Sequence, residues 1–253
     1  LEDDDDDDET LSDPDETGMD LLEETRLEED DNSGGDDIME VEDGGSNNND
    51  SANATPQLSK QQLSRREEKM RQFAGMVQSR EPLVDDVIGF MDGVSIPAEC
   101  TDERFEQNAF YCGYDCDTMV NNVFAYGPDG KVFFAAINFP GSWADGSLTA
   151  HFMHQMTRRM HSYKICVDQG FTRSGDAYGT FVGPITKRAV QHLHHDVHDY
   201  LLLISNVYTS LRQASEWGMC GLQGTFPCYK KRLPSGPALC RLVIKAIVLG
   251  HNF

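Results

Sequence analysis

The chain has 253 residues, of which 43 are acidic and 21 basic, and its formal net charge of -22 is unevenly distributed. Residues 1–57 hold 24 acids and one base, so they carry -23, whereas residues 58–253 hold 19 acids and 20 bases and carry +1. The near-neutral remainder can therefore accept a polyanion. No run of about 18 apolar residues occurs, which argues against a membrane-spanning helix.

The cysteines favour an intracellular protein with reduced thiols. Seven of them occur at irregular spacings, and no CxxC pair is present. This pattern is typical neither of a disulfide framework nor of a structural zinc site. Because the chain opens on Leu1, we expect its natural start to lie further upstream.

Composition divides the chain into three segments. Residues 1–57 contain few apolar residues and no aromatic ones, so they are predicted to be a disordered acidic tail. A solvated tail is the simpler interpretation of this segment, and a mimic of nucleic acid that competes for a basic groove is the alternative. Residues 58–83 are predicted to be a helical lead-in that breaks at Glu81-Pro82, and residues 84–253 a single domain.

The domain begins with short apolar strands. Residues 87–91, VIGFM, are predicted to be a buried strand that ends at Asp92-Gly93. The next expected elements are a hairpin of strands at 118–126 and 131–139, a helix at 145–160 capped by Asp145, and a strand at 163–168. The helix is predicted because Leu148, Phe152, Met156 and Met160 repeat every fourth residue.

Helices are predicted for most of the remaining chain. Apolar residues from Val190 to Leu211 step by three or four and define one long helix, with Arg212 and Glu216 one turn apart at its far end. Residues 238–253 are predicted to form a last buried helix. The fold class is therefore α/β.

Three acids are the main chemical candidates. Asp92 and Asp168 each follow an apolar strand, and Glu216 lies in an apolar stretch of helix. If they converged they would repel one another, and a divalent cation such as Mg²⁺ would relieve that repulsion. A pair of such ions about 4 Å apart stabilises both oxygens in phosphodiester cleavage. The alternative is that the two aspartates cap loops and that Glu216 is solvated.

Five motifs in this order resemble the DDE superfamily endonuclease domain of Harbinger-type transposases: GFMDG, EQNAFYCGY, NFPGSWADGS, ICVDQGF and SEWGMCGLQGTF…KKRLP. The resemblance covers about 84–253. It implies an RNase H-like mixed sheet flanked by helices, and a nuclease that cleaves DNA in the nucleus with Mg²⁺ or Mn²⁺. On this resemblance the catalytic and metal-binding acids are Asp92, Asp168 and Glu216, and Asp145 is an auxiliary acid.

The chain also departs from the family pattern. Ala144 stands where the family usually has His, Gly146 where it has Ser, and Cys220 where a basic residue often follows. The family's N-terminal DNA-binding helices are not evident, so a separate protein would supply DNA specificity. These departures favour the alternative function, a decayed or domesticated transposase that acts as a DNA- or protein-binding adaptor.

Further candidates have simpler alternatives. Arg212, Lys230, Lys231 and Arg232 are candidate DNA phosphate contacts or a plain basic patch. His194 and His198 could hold a metal as an i, i+4 pair, but a solvated helix face is the simpler interpretation. Asp176 is the second choice to Asp168. Trp143 could stack on a base, although a core position is more typical.

Overall fold

The computed structural model describes residues 41–43, 60–100, 102–160 and 162–253. Within these residues the strands are β1 (Val41–Asp43), β2 (Val87–Pro97), β3 (Tyr111–Cys112), β4 (Asp117–Tyr126), β5 (Val132–Pro140), β6 (Lys164–Val167) and β7 (Phe181–Val182). The α-helices are α1 (Lys60–Arg80), α2 (Arg104–Phe110), α3 (Asp145–Met160), α4 (Lys187–Gln191), α5 (His198–Thr225) and α6 (Pro237–Asn252).

A mixed sheet with the order β1-β5-β4-β2-β6-β7 forms the centre of the fold, and the short β3 pairs with β4. Strands β2, β4 and β5 are antiparallel neighbours, whereas β6 runs parallel to β2, and β7 parallel to β6. The loop at 127–130 joins β4 to β5 as predicted, and its Gly130 has a φ of 82°, which glycine adopts readily. The predicted RNase H-like mixed sheet is confirmed, with β2 between its antiparallel and parallel halves.

Helices cover both faces of this sheet. The predicted apolar stripe of α3 is at most 1% exposed and packs on one face together with Met70 and Phe73 of α1. On the other face, α6 contributes Ile244 and Val248, and α5 contributes Leu222. The apolar periodicity in these helices thus identified the correct buried sides. No helix in the described part of the chain has the length and apolar character needed to span a membrane.

Two predicted elements differ in extent. Strand β2 does not end at Asp92 but continues to Pro97, because β4 offers an antiparallel partner along that whole length, up to Met119. The single long helix predicted from Val190 is also wrong at its start. Its first part is the separate α4, and α5 begins only at His198, because the backbone at His194 is extended and a short 3₁₀ turn follows.

One part of the predicted disordered tail is structured. Residues Val41–Asp43 form β1, which pairs in parallel with β5, so the prediction of disorder for 1–57 is wrong for these three residues. The physical reason is that the edge of β5 presents unpaired backbone groups that a neighbouring chain segment can bind. The rest of residues 1–57 lies outside the described residues.

Candidate functional site

Asp92 and Asp168 lie side by side in the middle of the sheet. The parallel pairing of β2 with β6 extends to Met91 and Val167, and the two acids are the next residue on each chain. Neighbouring strands are about 4.8 Å apart. Met91 and Val167 are buried on the α3 face, so the alternation of side chains directs both acids toward α5. The predicted adjacency of the two acids is therefore found.

Asp92 is a partly buried carboxylate with too few positive neighbours. Burial raises its pKa from the ordinary value of 3.8 to about 6. A hydrogen bond of 2.9 Å from the backbone N–H of Gly93 to Oδ1 and the charge of Arg212 lower the pKa, whereas Asp168 and Asp145 raise it. A carboxylate in this state is a good candidate ligand for a cation.

Asp145 joins this group through two glycines. Its Oδ1 lies 2.8 Å from where a Cβ would stand at Gly93, and its Oδ2 lies 2.8 Å from the corresponding point at Gly170. Neither position has room for a side chain while Asp145 is in place. Burial first, and then the charge of Asp168, raise the pKa of Asp145. Asp92, Asp145 and Asp168 therefore form one electrostatically coupled group.

Glu216 approaches the group from α5, which is seated very close to the sheet. A Cβ at Gly218 would meet the ring of Tyr126 on β4 at 2.6 Å, so only glycine permits this approach. Ser215 and Leu222 of the same helix are completely buried. The Glu216 side chain itself is 48% exposed, so it lies at the rim of the site rather than in the core. The apolar neighbours of Glu216 in the sequence are explained by this contact.

Arg212 connects the helix to the acids on the strands. Its Nη2 lies 2.8 Å from Oε1 of Glu216, and its Nε lies 3.9 Å from Oδ1 of Asp168. Its charge also lowers the pKa of Asp92. One guanidinium thus neutralises part of the charge of all three predicted catalytic acids.

The donor set suits a hard divalent cation in its chemistry. Asp92, Asp145, Asp168 and Glu216 offer only carboxylate oxygens, which are the ligands that Mg²⁺ and Mn²⁺ prefer. Their arrangement is open, however. In the described residues, three His, Cys, Asp or Glu ligand atoms lie within 4.8 Å of one another only in the cluster of His194, His195 and Asp196. The acids would have to draw closer together to share an ion.

The predicted phosphate contacts divide into two groups. Arg212 is at the acids, whereas Lys230, Lys231 and Arg232 lie beyond the end of α5, where the backbone N–H of Leu233 bonds to the carbonyl of Pro97 at the far end of β2. Pro97 is roughly 16 Å along the strand from Asp92. The Arg232 guanidinium makes a bidentate pair with Asp117, at 3.0 and 2.7 Å, and binds the Ala98 carbonyl. Both lysines are exposed.

The remaining candidates do not join the site. His194 Nδ1 lies 3.3 Å from Asp196, whereas His198 contacts the carbonyl of Leu193, so the predicted His194 and His198 pair is not formed. Asp176 is exposed on a short 3₁₀ turn. The ring of Trp143 stacks on His151 at 4.4 Å and packs on the core.

Sequence reasoning missed Trp217 and the glycines beside the acids. The Trp217 side chain is 63% exposed directly after Glu216. The only available signal for it was adjacency in the sequence. Gly93, Gly170 and Gly218 matter because of close approaches between distant segments, which no local pattern reports.

Paired acids on central strands of an RNase H-like sheet, with a third acid on a flanking helix, define a nuclease of the DDE class. A family model described as DDE superfamily endonuclease matches residues 91–252, and the chain belongs to this family. The match includes all four acids of the site. Such nucleases typically use divalent metals. No curated protein matches the chain, and no solved structure does.

Proposed function

We propose that this protein is a divalent-metal-dependent DNA endonuclease of the Harbinger transposase type. One observation carries the proposal: Asp92 and Asp168 occupy equivalent positions on adjacent parallel strands, and Arg212 links Glu216 to them. The raised pKa of Asp92 supports a role in cation binding, because burial has left this carboxylate short of positive charge.

In this proposal each residue has a distinct task. Asp92, Asp168 and Glu216 hold two metal ions, which activate the attacking water or 3′-hydroxyl and stabilise the leaving oxygen. Asp145 supports the position of Asp168 as an auxiliary acid. Arg212 orients the phosphate that is cleaved.

Lys230 and Lys231 would contact the DNA backbone further away. Their separation of roughly 16 Å from Asp92 along β2 corresponds to about five base pairs of duplex, so the same DNA molecule can span both points. Arg232 would contribute only after leaving Asp117, so we expect less of it.

Plasmid nicking in Mn²⁺ tests the proposal. Wild-type protein should convert supercoiled DNA to open circles, and Asp92→Asn, Asp168→Asn and Glu216→Gln should each reduce nicking below detection while remaining folded. Asp176→Asn is the matched control, because Asp176 is an exposed acid outside the site. The proposal is wrong if the three variants nick DNA like the wild type, or if Asp176→Asn alone loses activity.

The alternative function is a DNA- or protein-binding adaptor, and specific observations favour it. Arg212 lies among the acids, whose ligand atoms do not converge within 4.8 Å in the described structure. Ala144 and Cys220 also replace polar residues of the family pattern. An adaptor would bind DNA equally well in chelator and in Mn²⁺, and would not nick it under either condition.

We also propose that the protein acts in the nucleus with a separate DNA-binding partner. The family's substrate is DNA, and the part of the chain with a site for it shows no recognisable DNA-reading helices in its sequence. The chain alone should then bind unrelated duplexes with equal affinity, and a tagged copy should accumulate in nuclei. Strong preference for one sequence by the chain alone would contradict the need for a partner.

A further inference from the structure

We infer that Arg212 is an internal counter-cation that competes with the divalent metal for the carboxylates of Asp168 and Glu216, and that metal binding releases its guanidinium to the DNA phosphate. This inference rests on the proposed function, because it assigns a second state to a residue of the same site.

The contacts of Arg212 show that it is placed for the acids rather than for its helix. The side chain is only 27% exposed, and it makes its 2.8 Å contact with Glu216 from one turn before it on α5. In helices, an acid placed four residues before a base is the more stabilising order, and this pair has the reverse order. The second contact, to Asp168, leaves the helix altogether and reaches the end of β6.

A metal ion and this guanidinium cannot use the same carboxylates together. The guanidinium already points Nη2 at Oε1 of Glu216 and Nε at Oδ1 of Asp168. A divalent ion bound to those oxygens would stand within a few ångströms of the cationic guanidinium, and the like charges would repel strongly. The acids also fail to converge in the described structure, so Glu216 must turn away from Arg212 before it can help to hold an ion.

A released guanidinium would remain beside the site, because its helix is fixed by the contact of Gly218 with Tyr126. Arginine binds phosphate oxygens with two parallel hydrogen bonds, as it binds a carboxylate. Metal binding would therefore free a phosphate ligand, and DNA would in turn favour the metal-bound state. Linkage requires this coupling to be reciprocal.

Mn²⁺ affinity of the whole chain, measured by electron paramagnetic resonance without DNA, tests the competition. Arg212→Gln should bind Mn²⁺ about threefold to tenfold more tightly than wild type, since partly exposed ion pairs oppose binding only modestly. Arg212→Lys should fall between them, because an ammonium cannot span two carboxylates as the planar guanidinium does. Arg71→Gln is the matched control, since Arg71 pairs with Glu68 on the exposed surface of α1 and should leave the affinity unchanged.

A melting experiment and a DNA titration complete the test. In chelator, Arg212→Gln should melt below the wild type, and saturating Mn²⁺ should narrow the gap. Ca²⁺ should strengthen binding of a short duplex by the wild type more than by Arg212→Gln, as measured by fluorescence anisotropy.

The outcomes separate this inference from the proposed function. Equal or weaker Mn²⁺ affinity in a folded Arg212→Gln overturns the competition, even if the wild type nicks plasmid DNA. The predicted order of Mn²⁺ affinities without any nicking supports the competition and overturns the nuclease. If no variant binds Mn²⁺ at millimolar concentration, both are overturned.

Discussion

Substitution of Asp92 by asparagine should stabilise the metal-free protein. Burial raises the pKa of this carboxyl from 3.8 to about 6, so the folded chain binds more protons than the unfolded chain between these values. The free energy of unfolding must then fall as pH rises from about 4 to about 6, and the cost of the buried charge is complete above that range. The full shift corresponds to about 3 kcal/mol, and partial solvent screening reduces it to about 1–2 kcal/mol.

Asparagine keeps the shape of the side chain and can still accept the hydrogen bond from Gly93, but it carries no charge. In chelator at neutral pH, Asp92→Asn should therefore melt roughly 2–8 °C above the wild type. The difference should shrink toward pH 4, where Asp92 is protonated in both states. In Mn²⁺ the order should reverse, because binding to the native state stabilises the wild type and the variant has lost a ligand.

Thermal melts followed by circular dichroism between pH 4 and pH 7.5, with wild type and variant side by side, measure these differences. Subtracting the two curves removes the titration of the other carboxyl groups. An Asp92→Asn protein that melts below the wild type in chelator at neutral pH would refute the argument. A difference that does not change with pH would do the same.

Two glycine substitutions test the close approaches that build the site. Gly218→Ala should destabilise the protein by about 1–3 kcal/mol, because its Cβ would overlap the ring of Tyr126. Gly224→Ala, on the same helix with nothing within 4 Å, should be neutral or slightly stabilising in urea unfolding. Gly93→Ala should displace Asp145 and reduce Mn²⁺ affinity, and an unchanged affinity would show that Asp145 has no part in metal binding.

Local patterns predicted those elements whose burial has a regular period. Helix α3 was predicted with its observed bounds, because its apolar residues repeat every fourth position and nothing interrupts them. The two strand-end acids were recognised because each follows an apolar run. The length of β2 was not predictable in the same way, because its second half is stabilised by pairing with β4, which lies further along the chain.

The site residues were recognised more readily than their arrangement. Spacing showed Arg212 one turn from Glu216, but not that its guanidinium would reach Asp168 on a strand more than forty residues earlier. Glycines opposite Asp145 carry no local signal either, since their need for space arises only when β2, α3 and the loop after β6 meet. Family motifs identified the acids and left their charge compensation to the structure.

Crystals grown or soaked with Mn²⁺ and measured at the manganese absorption edge test the central claim most directly. Anomalous scattering should place manganese between the carboxylates of Asp92 and Asp168, with Arg212 turned away from Glu216. Manganese found solely at the exposed cluster of His194, His195 and Asp196, with Arg212 still paired to the acids, would contradict a metal-dependent nuclease.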